Sequence, residues 1–208
     1  MDINQMIQKL KNREPSILGE EHFFKSAVLL PLVEVNQELH ILFEVRSMNL
    51  RRQPGDICFP GGRIDEEDQT PMHCAVRETT EELGIKNTDI VDVFPLDYVV
   101  ADMGRIIYPY VGRIKNPEEI VPNKDEVGEV FTIPLDYLLE NEPDVYKVHF
   151  EVKPADDFPF DLIIGGENYQ WQMRQMRHMN EMFYQYDGRV VWGLTAKILY
   201  HFISLVKC

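Results

Sequence analysis

The chain has few cysteines, and their placement argues against two kinds of stabilised site. Its 208 residues include only three, Cys58, Cys74 and Cys208, which are widely spaced and form no Cys-x-x-Cys pair. Such a number and spacing indicate neither a disulfide framework nor a zinc site. We therefore expect thiols in a reducing compartment.

Positive charge and long apolar runs are also scarce. The formal net charge is −14 and the pI is near 4.8, which argues against nucleic acid as a partner because its backbone requires a broad basic surface. No run approaches the roughly 18 apolar residues of a membrane span, and the first residues lack the pattern of a signal peptide. These absences predict a cytoplasmic protein with no membrane partner.

The composition and length that remain are those of one globular domain. Hydrophobic residues make up 44% of the chain and aromatic residues 11%, and 208 residues fit a single domain, 1–208. Residues 1–24 form a helical extension, in which 2–12 have the spacing of a short amphipathic helix that ends before Pro15. Packing or subunit contact, as in a homodimer, is the role expected for this helix.

Negative charge is concentrated between Asp65 and Glu82. This segment contains seven carboxylates and one arginine, Arg77. Like charges so close together repel one another unless they face water or a cation neutralises them. The segment is therefore either a solvated surface or a metal site.

A helix is predicted over residues 71–83. Thr70 and Pro71 are typical of a helix start, and Gly84 is typical of a helix end. At about 100° per residue, an apolar stripe separates from a face of three carboxylates. These are Glu78, Glu81 and Glu82.

Arginines precede the acidic helix. Residues 46–63 contain four arginines and one acid, Asp56. They are either ordinary solubilising surface or an anion clamp, since the planar guanidinium matches phosphate oxygens. The candidate phosphate-binding residues are Arg46, Arg51 and Arg52, and Gly61 and Gly62 allow the backbone to approach a ligand closely.

Elsewhere the pattern alternates strands with short helices. Strands are predicted at 25–35, 39–46, 90–94, 98–101, 106–114, 145–152 and 161–164, and helices near 135–140 and from 190 to about 206. Met173, Met176, Met179 and Met182 recur at near-helical spacing, which is typical of a core or a dimer surface. An acidic loop at 122–131 contributes Glu126 and Glu129, which are either further metal ligands or bases, or surface acids.

The Gly61-Gly62 turn, the acidic loop and the run Arg77-Glu-x-x-Glu-Glu-x-Gly84 together resemble the signature of the Nudix hydrolases. Two departures are visible. The interval from Gly62 to Arg77 is one residue longer than the general pattern, which leaves open whether Asp65 or Asp68 assists with metal, and Thr79 stands where a bulky aliphatic residue is usual.

The preceding motif, residues 42–62, is similar to that of the coenzyme A diphosphatase branch, as are the acidic loop at 122–131 and the run Trp192-Gly-x-Thr-Ala196. The longer loop is also a feature of that branch. The resemblance implies an α+β fold, a Nudix-type α/β/α sandwich with a mixed β-sheet and a loop-helix-loop that carries the signature.

Clustered carboxylates favour Mg²⁺ or Mn²⁺, ions that neutralise a diphosphate and activate a water for attack on phosphorus. We expect Glu78 and Glu82 to be the main metal ligands and Glu81 a ligand or base. Arg77 would orient the glutamates, and Glu126 is a candidate catalytic residue.

The resemblance also implies the substrate, a small nucleoside diphosphate. Coenzyme A or a derivative would be cut to 3′,5′-ADP and 4′-phosphopantetheine or its acyl form. The alternatives are a diphosphatase of ADP-ribose, NADH or dinucleoside polyphosphates, and a nucleotide sensor that binds without hydrolysis.

Overall fold

The computed structural model describes residues 2–11, 13–101, 104–151, 153–163, 165 and 177–207. The α-helices are α1 Ile3–Leu10, α2 Pro71–Leu83, α3 Leu135–Glu140 and α4 Gly193–Val206. The strands of the first sheet are β1 Phe24–Val35, β2 Glu38–Arg46, β3 Ile57–Cys58, β4 Gly61–Arg63, β5 Ile90–Pro95, β6 Val99–Ala101, β7 Arg105–Ile114 and β8 Val127–Pro134. Those of the second are β9 Asp144–Phe150, β10 Arg177–Tyr186 and β11 Arg189–Trp192.

The long strand β1 lies at the centre of a mixed sheet. It pairs in parallel with β7 and antiparallel with both β2 and β4. The order is β3-β2-β1-β7-β5, with β8 beside β2 and β6 beside β7. Asn36 and Gln37 connect β1 to β2 with positive φ angles of 51° and 70°, which suits a two-residue hairpin turn.

Helices cover both faces of this sheet because neighbouring strand residues point to opposite sides. Leu42 packs on the side of α2, whereas Ile41 and Phe43 pack on the side of α4. The α2 side is completed by Cys74, Ala75 and Leu83 from the helix. The α4 side is completed by Ala196, Ile198, Leu199, Phe202 and Ile203. The predicted α/β/α sandwich with a mixed sheet is therefore confirmed.

Several predicted elements match closely, and two are wrong. The helix predicted at 71–83 has those bounds in the structure. Residues 190–192 extend a strand, because β11 pairs with β10, and α4 begins only at Gly193. The strand predicted at 161–164 is replaced by a 3₁₀ turn, Phe160–Leu162. Residues 152 and 164, Met173, Met176 and Cys208 lie outside the described part.

Helix α1 begins with a capping box, in which the Asp2 carboxylate accepts from the backbone N–H of Asn4 at 2.8 Å and Gln5 reaches back to Asp2. Its apolar face is exposed: Ile3, Met6, Ile7 and Leu10 remain 43–65% accessible. The helix thus forms as predicted but is not packed against the described residues. Among the described helices, none is long and apolar enough to cross a membrane.

Candidate active site

Helix α2 is held at both ends, which fixes the position of its glutamates. The Thr70 hydroxyl accepts from the backbone N–H of His73 at 3.2 Å at the first turn. Gly84 ends the helix with a φ of +65°, and a Cβ there would lie 2.2 Å from the carbonyl oxygen of Val121. Only glycine suits both the conformation and this close approach.

Glu82 is the deepest carboxylate of the helix. Its side chain is buried, and its Oε2 accepts a hydrogen bond of 2.8 Å from the backbone N–H of Gly61. The predicted glycine turn and the predicted carboxylate face are therefore in direct contact. A buried carboxylate of this kind requires compensation by hydrogen bonds or a cation.

Glu78 lies against the second glycine. A Cβ on Gly62 would stand 2.3 Å from Cδ of Glu78, so the absence of a side chain leaves the space that the carboxylate occupies. The Nη1 of Arg77 contacts Oε1 of Glu78 at 2.9 Å and Oε2 of Glu81 at 3.3 Å. Glu81 is the most exposed of the three glutamates, with 55% of its side chain accessible.

Arg77 also joins the helix to the loop before it. Its Nε and Nη2 donate to Oδ1 and Oδ2 of Asp68 at 3.0 and 2.9 Å, a bidentate pair. These hydrogen bonds lower the pKa of Asp68 to about 2. Asp65, by contrast, is exposed and lies 3.8 Å from Arg77. In this arrangement the carboxylate of Asp68 is occupied by Arg77.

The acidic loop before β8 is attached to the end of α2. The backbone N–H groups of Val121 and Asn123 donate to the carbonyls of Leu83 and Glu82 at 3.0 and 2.9 Å. This attachment brings Glu126 close enough that its charge contributes to raising the pKa of Glu78 and of Glu82.

Glu129, the other acid considered in that loop, forms a different contact. It lies on β8 and makes a bidentate ion pair with Arg189 at 2.7 and 3.1 Å. That guanidinium stacks over the ring of Phe131, whose side chain belongs to the core on the α4 side. Glu126 is therefore the acid that the structure brings to the glutamates of α2, and Glu129 is not.

The three candidate arginines differ in burial. Arg46, at the end of β2, is partly buried, and its Nε is fully buried without a hydrogen-bond partner among the described residues. Arg51 and Arg52 are exposed in the turn between β2 and β3. Of the three candidates, only Arg46 thus has a buried side-chain atom available to an anion.

Glu44 is a site residue that the sequence reasoning missed. It lies two residues before Arg46 on β2 and is 1% accessible. Its Oε1 accepts from the thiol of Cys58 at 3.2 Å, while Oε2 is buried without a partner among the described residues. The available signal was its spacing from Arg46, since residues i and i+2 of a strand share a face.

The electrostatics of the site are those of carboxylates that a cation would stabilise. Burial, followed by the charge of Glu44, raises the pKa of Glu82 to about 9. Burial likewise raises the pKa of Glu44 to about 7 and is the main cause of the raised pKa of Glu78. A divalent cation would favour the charged forms of these carboxylates and remove their mutual repulsion.

The donor set also fits the kind of ion predicted. In the described chain, no three His, Cys, Asp or Glu side chains are arranged to hold a metal ion by themselves. Mg²⁺ is usually bound through one or two carboxylates together with substrate phosphates and water. An oxygen-only set with two buried glutamates therefore fits an ion that binds together with its phosphate ligand.

This combination of a mixed sheet between helices and a glutamate helix closed on a Gly-Gly turn is that of a known family. The model of the NUDIX domain matches residues 24–155, more than half of the chain. The chain belongs to the Nudix family. A solved MutT/nudix family protein from Enterococcus faecalis has the same fold, with a TM-score of 0.50 and 14% identity over 99% of this chain and 70% of that one.

The curated relatives at higher identity include coenzyme A diphosphatases. The peroxisomal coenzyme A diphosphatase NUDT7 of Mus musculus is 41% identical over 59% of this chain and 51% of its own length. The mitochondrial coenzyme A diphosphatase NUDT8 of Homo sapiens is 38% identical over 83% of this chain and 65% of its own. The peroxisomal coenzyme A diphosphatase ndx-8 of Caenorhabditis elegans is 37% identical over 60% and 56%. The chain thus spans about half to two thirds of the length of these relatives.

Proposed function

We propose that this protein is a Mg²⁺- or Mn²⁺-dependent diphosphatase that cleaves coenzyme A or its derivatives to 3′,5′-ADP and 4′-phosphopantetheine or its acyl form. The observation that carries the proposal is that buried carboxylates and a partly buried guanidinium occur in one region of the fold. The carboxylates of α2 are fixed against Gly61 and Gly62, and Arg46 carries a buried donor without a partner among the described residues, two residues after Glu44, whose charge acts on Glu82. A cation bound to a diphosphate matches both.

The residues take the following roles. Glu78 and Glu82 hold the cation, with Glu81 at the exposed edge as a further ligand or base, and Arg77 orients them. Arg46 binds diphosphate oxygens, and Arg51 and Arg52 reach them from the surface. When bound, the cation supplies neutralisation of the developing phosphate charge and a water of lowered pKa.

Hydrolysis then needs a group that receives a proton. The oxygen of the attacking water forms a bond to one phosphorus, and the bond from that phosphorus to the bridging oxygen breaks. Glu126, carried by the loop attached to the end of α2, accepts the proton of the water. The leaving phosphate takes the bridging oxygen and its electron pair.

We assign coenzyme A rather than another diphosphate as the substrate on the basis of similarity to known proteins. Three of them bear the name coenzyme A diphosphatase, and residues 42–62 have the motif of that branch. The cytoplasmic location expected from the sequence stays a prediction, since NUDT7 is a peroxisomal and NUDT8 a mitochondrial enzyme. The expected homodimer also stays a prediction.

The test is a product analysis. The purified protein is incubated with coenzyme A and Mg²⁺ or Mn²⁺, and the products are separated by chromatography. We expect 3′,5′-ADP at enzymatic rates, and a kcat/KM for coenzyme A above those for ADP-ribose, NADH and dinucleoside polyphosphates. A higher kcat/KM for one of the latter would assign the alternative substrate, and binding without turnover would indicate a sensor.

A variant pair tests the role of the helix in the same assay. Glu82→Gln keeps an acceptor for the N–H of Gly61 but removes the charge, and we expect turnover to fall more than the roughly 10- to 100-fold typical of outer-shell changes. Glu38→Gln, a change of the same chemistry at a side chain 73% exposed on β2, serves as the control. Full metal-dependent turnover by Glu82→Gln would overturn the ligand assignment.

A further inference from the structure

Two buried polar atoms of opposite character lie on one face of β2 without partners. Oε2 of Glu44 and Nε of Arg46 each lack a hydrogen bond to any described residue, although both atoms are buried. Buried polar atoms in folded proteins are almost always satisfied by protein, water or a ligand. The two atoms therefore call for an occupant that supplies a positive group to one and a negative group to the other.

The orphaned oxygen of Glu44 is held in place by its neighbour. Glu44 lies opposite Cys58 in the β2–β3 pairing, and the Cys58 thiol donates to its other oxygen, Oε1, at 3.2 Å. Burial raises the pKa of that thiol above its usual range, and the charges of Glu44 and Glu82 raise it further. Cys58 therefore remains a neutral donor. The carboxylate is thus supported on one oxygen and free on the other.

The free oxygen belongs to the same electrostatic site as α2. The charge of Glu44 acts on Glu82, and Glu126 acts on both. Glu82 is in turn held by the N–H of Gly61, three residues after Cys58 on the adjoining strand. Leu42, two residues before Glu44 on β2, packs on the α2 side of the sheet, and residues i and i+2 of a strand share a face, so Glu44 faces the same side as Glu82.

We propose that Glu44 is an additional metal ligand, which binds through Oε2 the divalent cation that Glu82 holds from the other side. The proposal rests on the proposed function, because the Nε of Arg46 then donates to a phosphate oxygen that completes the coordination of the ion. One cation and one diphosphate satisfy both orphaned atoms. The ligand set then comes from two elements, β2 and α2, and the ion would draw their carboxylates together, since no three acidic side chains of the described chain are already arranged around one point.

A ligand on β2 also explains why a carboxylate is tolerated at this position. Glu44 directly follows Leu42 and Phe43, whose side chains belong to the core on either side of the sheet. A charge buried there is unfavourable unless it is paired or coordinates a metal. Arg46, whose charge acts on Glu44, makes no hydrogen bond to it in the described chain, so a bound cation is the interaction that would compensate the ionised carboxylate.

The test measures cation binding without substrate turnover. Mn²⁺ is titrated into the metal-free protein, and free Mn²⁺ is followed by electron paramagnetic resonance for the wild type, Glu44→Gln and Glu38→Gln. We expect Glu44→Gln to weaken Mn²⁺ binding at least about 10-fold, the lower bound seen for outer-shell partners. Glu38→Gln, with the same loss of charge on the same strand, should leave the affinity unchanged. Equal affinity of Glu44→Gln and wild type would overturn the proposal.

Two more variants separate coordination from a purely electrostatic effect. Glu44→Asp keeps the charge but withdraws the oxygen, so a ligand role predicts weakened Mn²⁺ binding, whereas a role through charge alone predicts near-wild-type affinity. If both glutamates hold one ion, the losses in Glu44→Gln and Glu82→Gln should not add in the double variant, because contacting residues couple. Fully additive losses would indicate separate sites and contradict the proposal. Circular dichroism confirms that each variant is folded, and Glu44→Asp carries the test if Glu44→Gln is not.

The outcome is independent of the substrate assignment. If the wild type fails to cleave coenzyme A but its Mn²⁺ affinity depends on Glu44, the ligand assignment stands and the proposed function fails. If coenzyme A is cleaved but the affinity for Mn²⁺ does not depend on Glu44, the proposed function stands and the ligand assignment fails.

Discussion

At the scale of single residues, Gly62 is the glycine whose missing side chain leaves room for a carboxylate of α2. In Gly62→Ala the new methyl group would stand 2.3 Å from Cδ of Glu78, so the carboxylate must move away. We expect a loss of turnover of about 10- to 100-fold, as for a displaced ligand shell, with a smaller effect on the melting temperature.

Gly128→Ala provides the matched control. A Cβ at Gly128 would meet its nearest neighbour, the carbonyl of Val45, at 3.5 Å, an ordinary contact. Turnover should therefore change little in Gly128→Ala. Equal activity of the two alanine variants in a steady-state assay would show that Glu78 adapts and that its position is not critical.

The sequence predicted the glutamates of α2 because helical spacing alone places Glu78, Glu81 and Glu82 on one face. It did not predict that Glu82 would be buried or that Glu44 would lie opposite. The one local signal for Glu44, its position two residues before Arg46, indicates a shared strand face but does not show whether that face lines a site or the surface. The role of Glu44 depends on which elements cover that face, and this is decided by contacts between distant parts of the chain.

At the scale of elements, the pair of Asp68 and Arg77 joins the acidic loop to α2. The carboxylate of Asp68 is 4% accessible and accepts two hydrogen bonds from Arg77. We expect Asp68→Asn to lower the free energy of unfolding at pH 7 by roughly 1.5–3 kcal/mol, the range for hydrogen bonds to charged groups. Asp65→Asn, at an exposed carboxylate of the same loop, should have little effect.

The pH dependence gives an independent check of this pair. The pKa of Asp68 is lowered from 3.8 to about 2. The ionised carboxylate therefore adds to the free energy of unfolding above pH 4, and this contribution disappears as the pH falls towards 2. The difference between wild type and Asp68→Asn in urea unfolding should therefore shrink over that range. A difference that is constant from pH 7 to pH 2.5 would contradict the ion pair.

Elements bounded by local signals were predicted well. Thr70, Pro71 and Gly84 define α2 within the chain itself, and the turn at Asn36 and Gln37 defines the first hairpin. The start of the last helix was misplaced because Arg189–Trp192 forms a strand through its pairing with β10. Such pairing is a non-local interaction, which outweighs the helical pattern of the residues that follow.

At the scale of the whole molecule, the buried glutamates couple stability to pH and to cations. Burial raises the pKa of Glu82 from 4.5 to about 9 and that of Glu44 from 4.5 to about 7. At pH values between 4.5 and about 9, the native protein therefore binds more protons than the unfolded chain. Without divalent cations, the free energy of unfolding should therefore fall as the pH rises from 5 to 9.

Saturating Mg²⁺ should reduce this fall, because the ion replaces the protons, and a ligand at 100 times its Kd adds about 2.7 kcal/mol. Urea unfolding at pH 6 and pH 9, with EDTA or with Mg²⁺, measures both effects. In Glu82→Gln the dependence on pH should be flatter. Equal stability at the two pH values in EDTA would show that the glutamates are ionised throughout and are compensated within the protein.

The attachment of residues 121–123 to the end of α2 has a mechanical consequence. Since the carbonyls of Glu82 and Leu83 receive this loop, the glutamates and Glu126 share one frame of reference. A displacement of α2 therefore carries residues 121–123 with it, and we expect the distance between Glu82 and Glu126 to vary less than the distance between α2 and the far strands of the sheet.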